Sequence, residues 1–504
     1  MGIKLFLLII FFAVMVGVGF YSRRHVKSVD GFVLGGRSVG PWLTAFAYGT
    51  SYFSAVVFVG YAGQFGWKYG IASTWIGIGN ALIGSLLAWV VLGRRTKVMT
   101  QHLRAKTMPD FFGQRYGSKA LKIVASVIVF VFLIPYTASV YNGLSRLFGM
   151  AFNIPYTWCV IAMAVFTAIY VILGGYMATA INDFIQGIIM LFGIVAVIAS
   201  VLNGQGGFME AVSKMAQIPS DVPATMGQPG AFTSFFGPDP LNLLGVVILT
   251  SLGTWGLPQM IGKFYAIKDE KSINTGTVIS TLFAIVISGG CYFLGGFGRL
   301  FDSAEIYNAE TGAVVYDSII PSMLSKLPDI LIGIVVVLVL SASMSTLSSL
   351  VLTSSSTMTL DLLKDNIMKE MSEKKQIITM QILIVFFIVV SVVIALDPPT
   401  FIAQLMGISW GALAGAFLAP FLYGLYWKGV TRAGVWAGFI AGVGITVSNM
   451  FIGYIASPIN AGAAAMVAGL VIVPLVSLVT PKLKKEDVDE IFTCYEEKVV
   501  STKK

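Results

Sequence analysis

An all-α, polytopic membrane fold is predicted by three features of the chain: its composition, the recurrence of long apolar runs, and the alternation of positive charge between loops. Hydrophobic residues make up 56% of the 504 residues and charged residues only 11%, where a soluble domain carries roughly one-quarter charged. The mean hydropathy is +0.84. Apolar runs of about 20 residues, enough to cross a ~30 Å hydrocarbon layer, recur from end to end. Thirteen are distinguishable, at about 4–22, 42–64, 74–93, 121–148, 156–176, 181–202, 241–265, 274–298, 328–357, 377–396, 400–425, 433–453 and 460–480. Mostly short loops separate them, so residues 1–480 read as one integral membrane domain and 481–504 as a short tail, with no soluble catalytic module.

The net charge of +9 suggests a nucleic-acid partner, but its distribution rejects one. Of 33 Lys and Arg, 27 fall on one set of alternate loops or helix ends, including Arg23, Arg24, Lys27, Arg94, Arg95, Lys97, Arg104, Lys364, Lys374, Lys375 and Lys428. Six fall on the other set: Lys4, Lys68, Arg146, Lys214, Arg299 and Lys326. Basic loops stay in the cytoplasm. The expected placement is therefore the cell membrane, with the N-terminus outside and the tail cytoplasmic, ends that an odd number of crossings connects. The expected partner is the lipid bilayer, with no nucleic acid and no obligate protein partner. The first run precedes its positive cluster and lacks a small-x-small cleavage site, so it reads as a retained helix and not as a signal peptide. Cys159, Cys291 and Cys494 are scattered, without metal or disulfide spacing.

No phosphate-cradling G-x-x-x-x-G-K-[ST] occurs, which removes ATP as the driver. Gly407 to Gly411, GISWG, matches a nucleophile elbow in letters only. That motif needs a strand-turn-helix context and a reachable histidine. Here it lies in an apolar run, and both histidines, His25 and His102, sit in basic segments. An ion gradient remains, and sodium requires hard oxygens. Transporters supply them at helix breaks placed equivalently in two inverted repeats. The second run carries AYGTSYFSA, Ala47 to Ala55, and the seventh SLGTWGLPQ, Ser251 to Gln259, with Gly253, Gly256 and Pro258 to loosen it. Five runs apart, these two have opposite orientations, the expected signature of a five-plus-five inverted repeat over about 42–202 and 241–425. Glycine is also common in membrane helices for packing alone.

Asp183 is the one acid between Val160 and Leu202, a stretch that reads as two helices joined by a turn, GGYMATAIN. A carboxylate at membrane depth costs at least ~2.5 kcal/mol, and its usual roles are ion pathway, proton relay or cation partner. The plainer alternative is a cap, since Asn182 and Asp183 fall at the expected start of the sixth helix. The ninth run, Ser341 to Thr359, is dense in hydroxyls, with Ala342, Ser345, Thr346 and Ser349 on one face. Hydroxyls there usually join helices or bond their own backbone; beside Asp183, some of them suit a cation site.

GGRSVGPWLTAF (Gly35 to Phe46), ILGGYMATAINDFIQ (Ile172 to Gln186), ASMSTLSS (Ala342 to Ser349) and GLYWKGVTRAGVWAG (Gly424 to Gly438), in this order, resemble the sodium/solute symporter family. That family includes the proline, pantothenate, sugar, sialic acid and monocarboxylate symporters. The resemblance implies a leucine-transporter type of fold with helices 2 and 7 broken, and Na+ as the coupling ion. It implies a sodium site built from the carbonyls of Thr50, Phe53 and Ala342 and the hydroxyls of Ser345 and Thr346. Asp183 would belong to the sodium exit route or a second ion site. Tyr176 departs mildly from the family's pattern, and Tyr52 stands where the proline symporters carry an aspartate. The stretch FVGYAGQFGWKYG leans toward the pantothenate and monocarboxylate branches.

The expected activity is sodium-coupled symport of a small organic solute, carboxylate- or amino-acid-like, into the cell by alternating access. Sugar or sialic acid symport by the same fold is the alternative. A channel would need a pore ring or filter motif, and a sensor a signalling domain longer than the tail. The candidate solute wall at the breaks is Ser51, Tyr52, Ser54, Tyr136, Thr254, Trp255 and Gln259, since aromatic bodies with polar tips suit such a ligand as readily as they suit helix packing.

Overall fold

The computed structural model describes residues 2–152, 155–397 and 402–496. Apart from two isolated backbone bridges, Val39 with Ile267 and Tyr307 with Val314, the described residues are helical or in turns and loops. Helices α1 (Gly2–Ser22), α2 (Pro41–Tyr52), α3 (Lys119–Phe152), α4 (Tyr156–Gly204), α5 (Pro240–Leu252) and α6 (Pro258–Ala266) precede α7 (Glu270–Ala284) and α8 (Asp329–Thr357). Then follow α9 (Glu373–Leu396), α10 (Ile402–Tyr426), α11 (Arg432–Ile452) and α12 (Pro458–Val479). In hydrocarbon every backbone polar group needs an internal partner, which only closed barrels and helices provide.

α8 lies at the centre, packed against α4, α3, α1 and α2, and almost all of its residues from Val335 to Leu352 are buried. α9 instead exposes Ile382, Val385, Phe386, Val389 and Val393, as a lipid-facing helix should. Both expected breaks are present. α2 ends at Tyr52, Phe53 takes φ −106°, ψ 90°, and the helix resumes with π-helical turns over Val56–Tyr61. α5 runs into a 3₁₀ turn, Gly253–Trp255, and α6 leaves at 40° to it after Gly256 and Leu257.

By length and apolarity, ten described helices can cross a membrane, or eleven if the bent α5–α6 pair is one span, against thirteen apolar runs in the sequence. The difference lies where consecutive runs join in one helical path. α4 contains both 156–176 and 181–202; as a straight helix its 49 residues would extend about 74 Å, more than twice the bilayer core. Gly175 (φ 53°, ψ −143°) divides it, and a Cβ there would come within 2.7 Å of Phe32. No turn follows through Asn182, contrary to expectation: the helix restarts directly after Gly175. Asp183 is thus about two turns inside a helix, which overturns its reading as a cap. A second such junction, Gly70 (φ +61°), interrupts the path from Val56 to His102.

At the α3 end of the bundle, Lys122 Nζ lies 2.7 Å from Asp110, 2.6 Å from Asp365 and 3.2 Å from the buried Asp361. One ammonium thereby ties α3 to the Met108–Tyr116 helix and to the π-helical extension of α8. Lys122→Met leaves three carboxylates facing each other, which should cost on the order of 3 kcal/mol and lower the melting temperature of the detergent-purified protein by several degrees. Unchanged melting would show that the cluster does not hold these segments.

Candidate functional site

The break in α2 and the hydroxyl face of α8 meet. Because Phe53 leaves helical geometry, the last carbonyls of α2 lose the amides a continuous helix would supply. Side chains of α8 replace them. Ser345 Oγ donates to Thr50 O at 3.1 Å, and Thr346 Oγ1 lies 3.3 Å from Thr50 O and 3.4 Å from Ser51 O. Both hydroxyls also lie 3.1 Å from Ala342 O on their own helix. Four of the five expected cage residues, Thr50, Ala342, Ser345 and Thr346, therefore converge across two helices. Phe53, the fifth, is buried at the break itself, its amide donating to Gly49 O at 3.1 Å. These oxygens are hard, neutral donors; among the described residues no group of three His, Cys, Asp or Glu is placed to hold a metal ion. Hydroxyls and carbonyls of this kind suit an alkali cation better than a transition metal.

Asp183 is not brought into direct contact with that cage. Its carboxylate, fully buried, faces Lys263 of α6, with Nζ 3.7 Å from Oδ2, beyond hydrogen-bond distance. Neither carboxylate oxygen has a hydrogen bond. Lys263 Nζ donates instead to Ser349 Oγ at 2.9 Å, and Ser349 Oγ is 2.8 Å from Ser51 Oγ. A polar chain thus runs from Asp183 through Lys263, Ser349 and Ser51 to the α2 break. Lys263 was not foreseen: counting charge by loops groups it with the basic side, although it lies inside an apolar run. A lysine seven residues after Gly256 in that run was the signal available.

The expected solute-wall residues divide into three groups. Tyr52 and Tyr136 flank Trp410, with ring centroids at 6.0 and 5.9 Å, and Tyr52 OH donates to Thr250 O. Trp410, inside the GISWG run, is the second residue that sequence reasoning missed. Ser51 and Gln259 face the Lys263 side. Gln259 is buried with both amide atoms unbonded, beside a cavity of about 40 Å³ that Lys263, Ser349, Tyr176 and Thr179 also line. That volume admits a few waters and no organic solute. Thr254, Trp255 and Ser54 use their polar atoms locally. Thr254 Oγ1 donates to Gly84 O at 3.1 Å and Trp255 Nε1 to Ile83 O at 3.0 Å, pinning the α5–α6 break to a neighbouring helix. Ser54 Oγ accepts from Val56 N at 3.1 Å.

The sodium:solute symporter family model matches residues 32–442. The sodium/proline symporter of Staphylococcus aureus (strain JH9) is 30% identical over 496 residues, covering 95% of this chain and 92% of that protein. Among solved structures, a substrate-bound, outward-open Na+-coupled sialic acid symporter aligns with TM-score 0.76 at 16% identity, over 96% of this chain and 99% of the other. A nucleobase-cation-symport-1 family transporter in a closed conformation with bromovinylhydantoin bound aligns with TM-score 0.53 at 14% identity, over 92% and 98%. These two likenesses are of fold, the five-plus-five inverted repeat with broken helices. With the break geometry and the match across most of its length, the chain belongs to the sodium:solute symporter family, a multi-pass, sodium-coupled transporter and not an enzyme.

Proposed function

We propose that the chain carries a small carboxylate- or amino-acid-like solute into the cell by alternating access, with sodium held by Thr50, Phe53, Ala342, Ser345 and Thr346. The observation that carries this reading is the pair of α8 hydroxyls directed at the carbonyls of the α2 break. Sodium entering between them exchanges its hydration shell for these oxygens and joins α2 to α8. An ion that binds one conformation better than the other shifts the equilibrium by that difference alone. Closing the α2–α8 contact on the ion is such a difference, so sodium favours the state in which the solute wall is assembled.

For the solute, Tyr52, Tyr136 and Trp410 offer aromatic faces and Gln259 an unbonded amide beside Ser51. The name of the sodium/proline relative favours an amino acid or a similar carboxylate, while Tyr52 in place of an aspartate sets the chain apart from proline itself. Residues 1–480 form the transporter domain, with repeats over about 42–202 and 241–425 and a cytoplasmic tail over 481–504. The excess of Lys and Arg on one set of loops supports an external N-terminus.

Sodium-dependent uptake by proteoliposomes, over a panel of amino acids, monocarboxylates, pantothenate and sugars, tests the class of solute. An amino acid or carboxylate should accumulate against its gradient, and a sugar should not. For whichever solute is accumulated, Ser345→Ala should raise the sodium concentration for half-maximal uptake about tenfold, one lost ligand at ~1.4 kcal/mol, with the solute KM at saturating sodium nearly unchanged. An unaltered sodium dependence would remove Ser345 from the ion site. Linkage makes the coupling reciprocal: replacing sodium by choline at constant ionic strength should weaken equilibrium solute binding by the factor by which solute tightens sodium. Equal solute affinity in both salts would refute coupling through binding.

A further inference from the structure

We propose that Lys263 is a tethered cation: its ammonium holds, on Asp183 and Ser349, the place of a second sodium ion, so that the chain binds one sodium and not two. The inference rests on the sodium-symport reading above. A buried carboxylate with no hydrogen bond to either oxygen stays ionised only beside a cation. Among the described residues, Lys263 is the one ion partner of Asp183. Its side chain is 3% exposed and that of Asp183 is 0% exposed, so bulk water does not substitute for the partner.

The ammonium faces a carboxylate oxygen at 3.7 Å and a serine hydroxyl at 2.9 Å, both hard oxygens of the kind an alkali cation takes. Ser349 lies one helical turn beyond Ser345 and shares a hydroxyl contact with Ser51 at the α2 break. Two cation positions thus lie along one face of α8, the nearer to the break lined by neutral oxygens, the farther filled by the side chain of α6. A diffusible ion at the farther position would cross with the solute, whereas an ammonium on a four-carbon stem moves only as far as α6 moves. The absence of a close Asp183 contact leaves the pair free to separate when α6 shifts. If the pair served only to hold α4 and α6 together, removing Lys263 would lower stability without creating an ion site.

Equilibrium binding of radioactive sodium to the purified full-length protein, in choline buffer without solute, counts the sites directly. The wild type should bind one sodium per chain. Lys263→Met, which keeps the length and removes the charge, should bind two, and Lys263→Met with Asp183→Asn should return to one. Asp183→Asn alone should still bind one, with affinity within about threefold of the wild type; this arm holds the proposal open to refutation even where Lys263→Met does not fold. Two sites in the wild type, a single site in folded Lys263→Met, or loss of the wild-type site in Asp183→Asn would each overturn it. A wild type that binds no sodium would instead remove the symport reading, and this inference with it.

Discussion

Everything at the centre of this molecule depends on the backbone oxygens that α2 gives up where it breaks. In a bilayer interior an unpaired carbonyl costs several kcal/mol, and no water is available to satisfy it. The chain meets that cost with side chains from a helix far away in sequence: Ser345 and Thr346 reach Thr50 and Ser51 across about 295 residues of chain. The two hydroxyls satisfy the freed carbonyls by hydrogen bonds. The sodium site proposed above would use the same atoms that repair the break.

The second break obeys the same constraint differently. Between α5 and α6 the chain turns through Gly256 and Leu257, and Thr254 and Trp255 fasten it to the carbonyls of Gly84 and Ile83. α6 then carries Lys263 toward Asp183. At 3.7 Å and an effective dielectric near 20, the attraction is on the order of 4 kcal/mol, comparable with the several kcal/mol lost in taking each ion out of water. Such a pair adds no net stability by Coulomb attraction alone and is sensitive to small movements of α6.

Much of this was legible in the sequence because the bilayer leaves few choices. Apolar length gave the helices, and Gly, Pro and Ser interruptions gave both breaks to within a few residues. Thr50, Ala342, Ser345 and Thr346 followed from the motif resemblance, and the structure brings them together. The boundaries were less legible. Apolarity does not record where a helical path continues, so the turn expected through Asn182 proved to be the single residue Gly175. Lys263 was hidden because charge counted by loops takes no notice of depth, and Trp410 because a tryptophan in an apolar run has no polar pattern to mark it. Thr254 and Trp255 carry the right chemistry for a ligand, but their donors are taken by a neighbouring helix that spacing alone does not locate.

The central claim, that the oxygens of the α2 break and α8 hold sodium, is most directly tested by hydrogen-deuterium exchange of the purified protein without solute, in sodium and in choline at equal ionic strength. Peptides covering 47–58 and 340–350 should exchange more slowly in sodium, and the protection should vanish in Ser345→Ala with Thr346→Val, which removes both hydroxyls and keeps the helix volume nearly unchanged. Identical exchange of these peptides in the two salts would contradict the account.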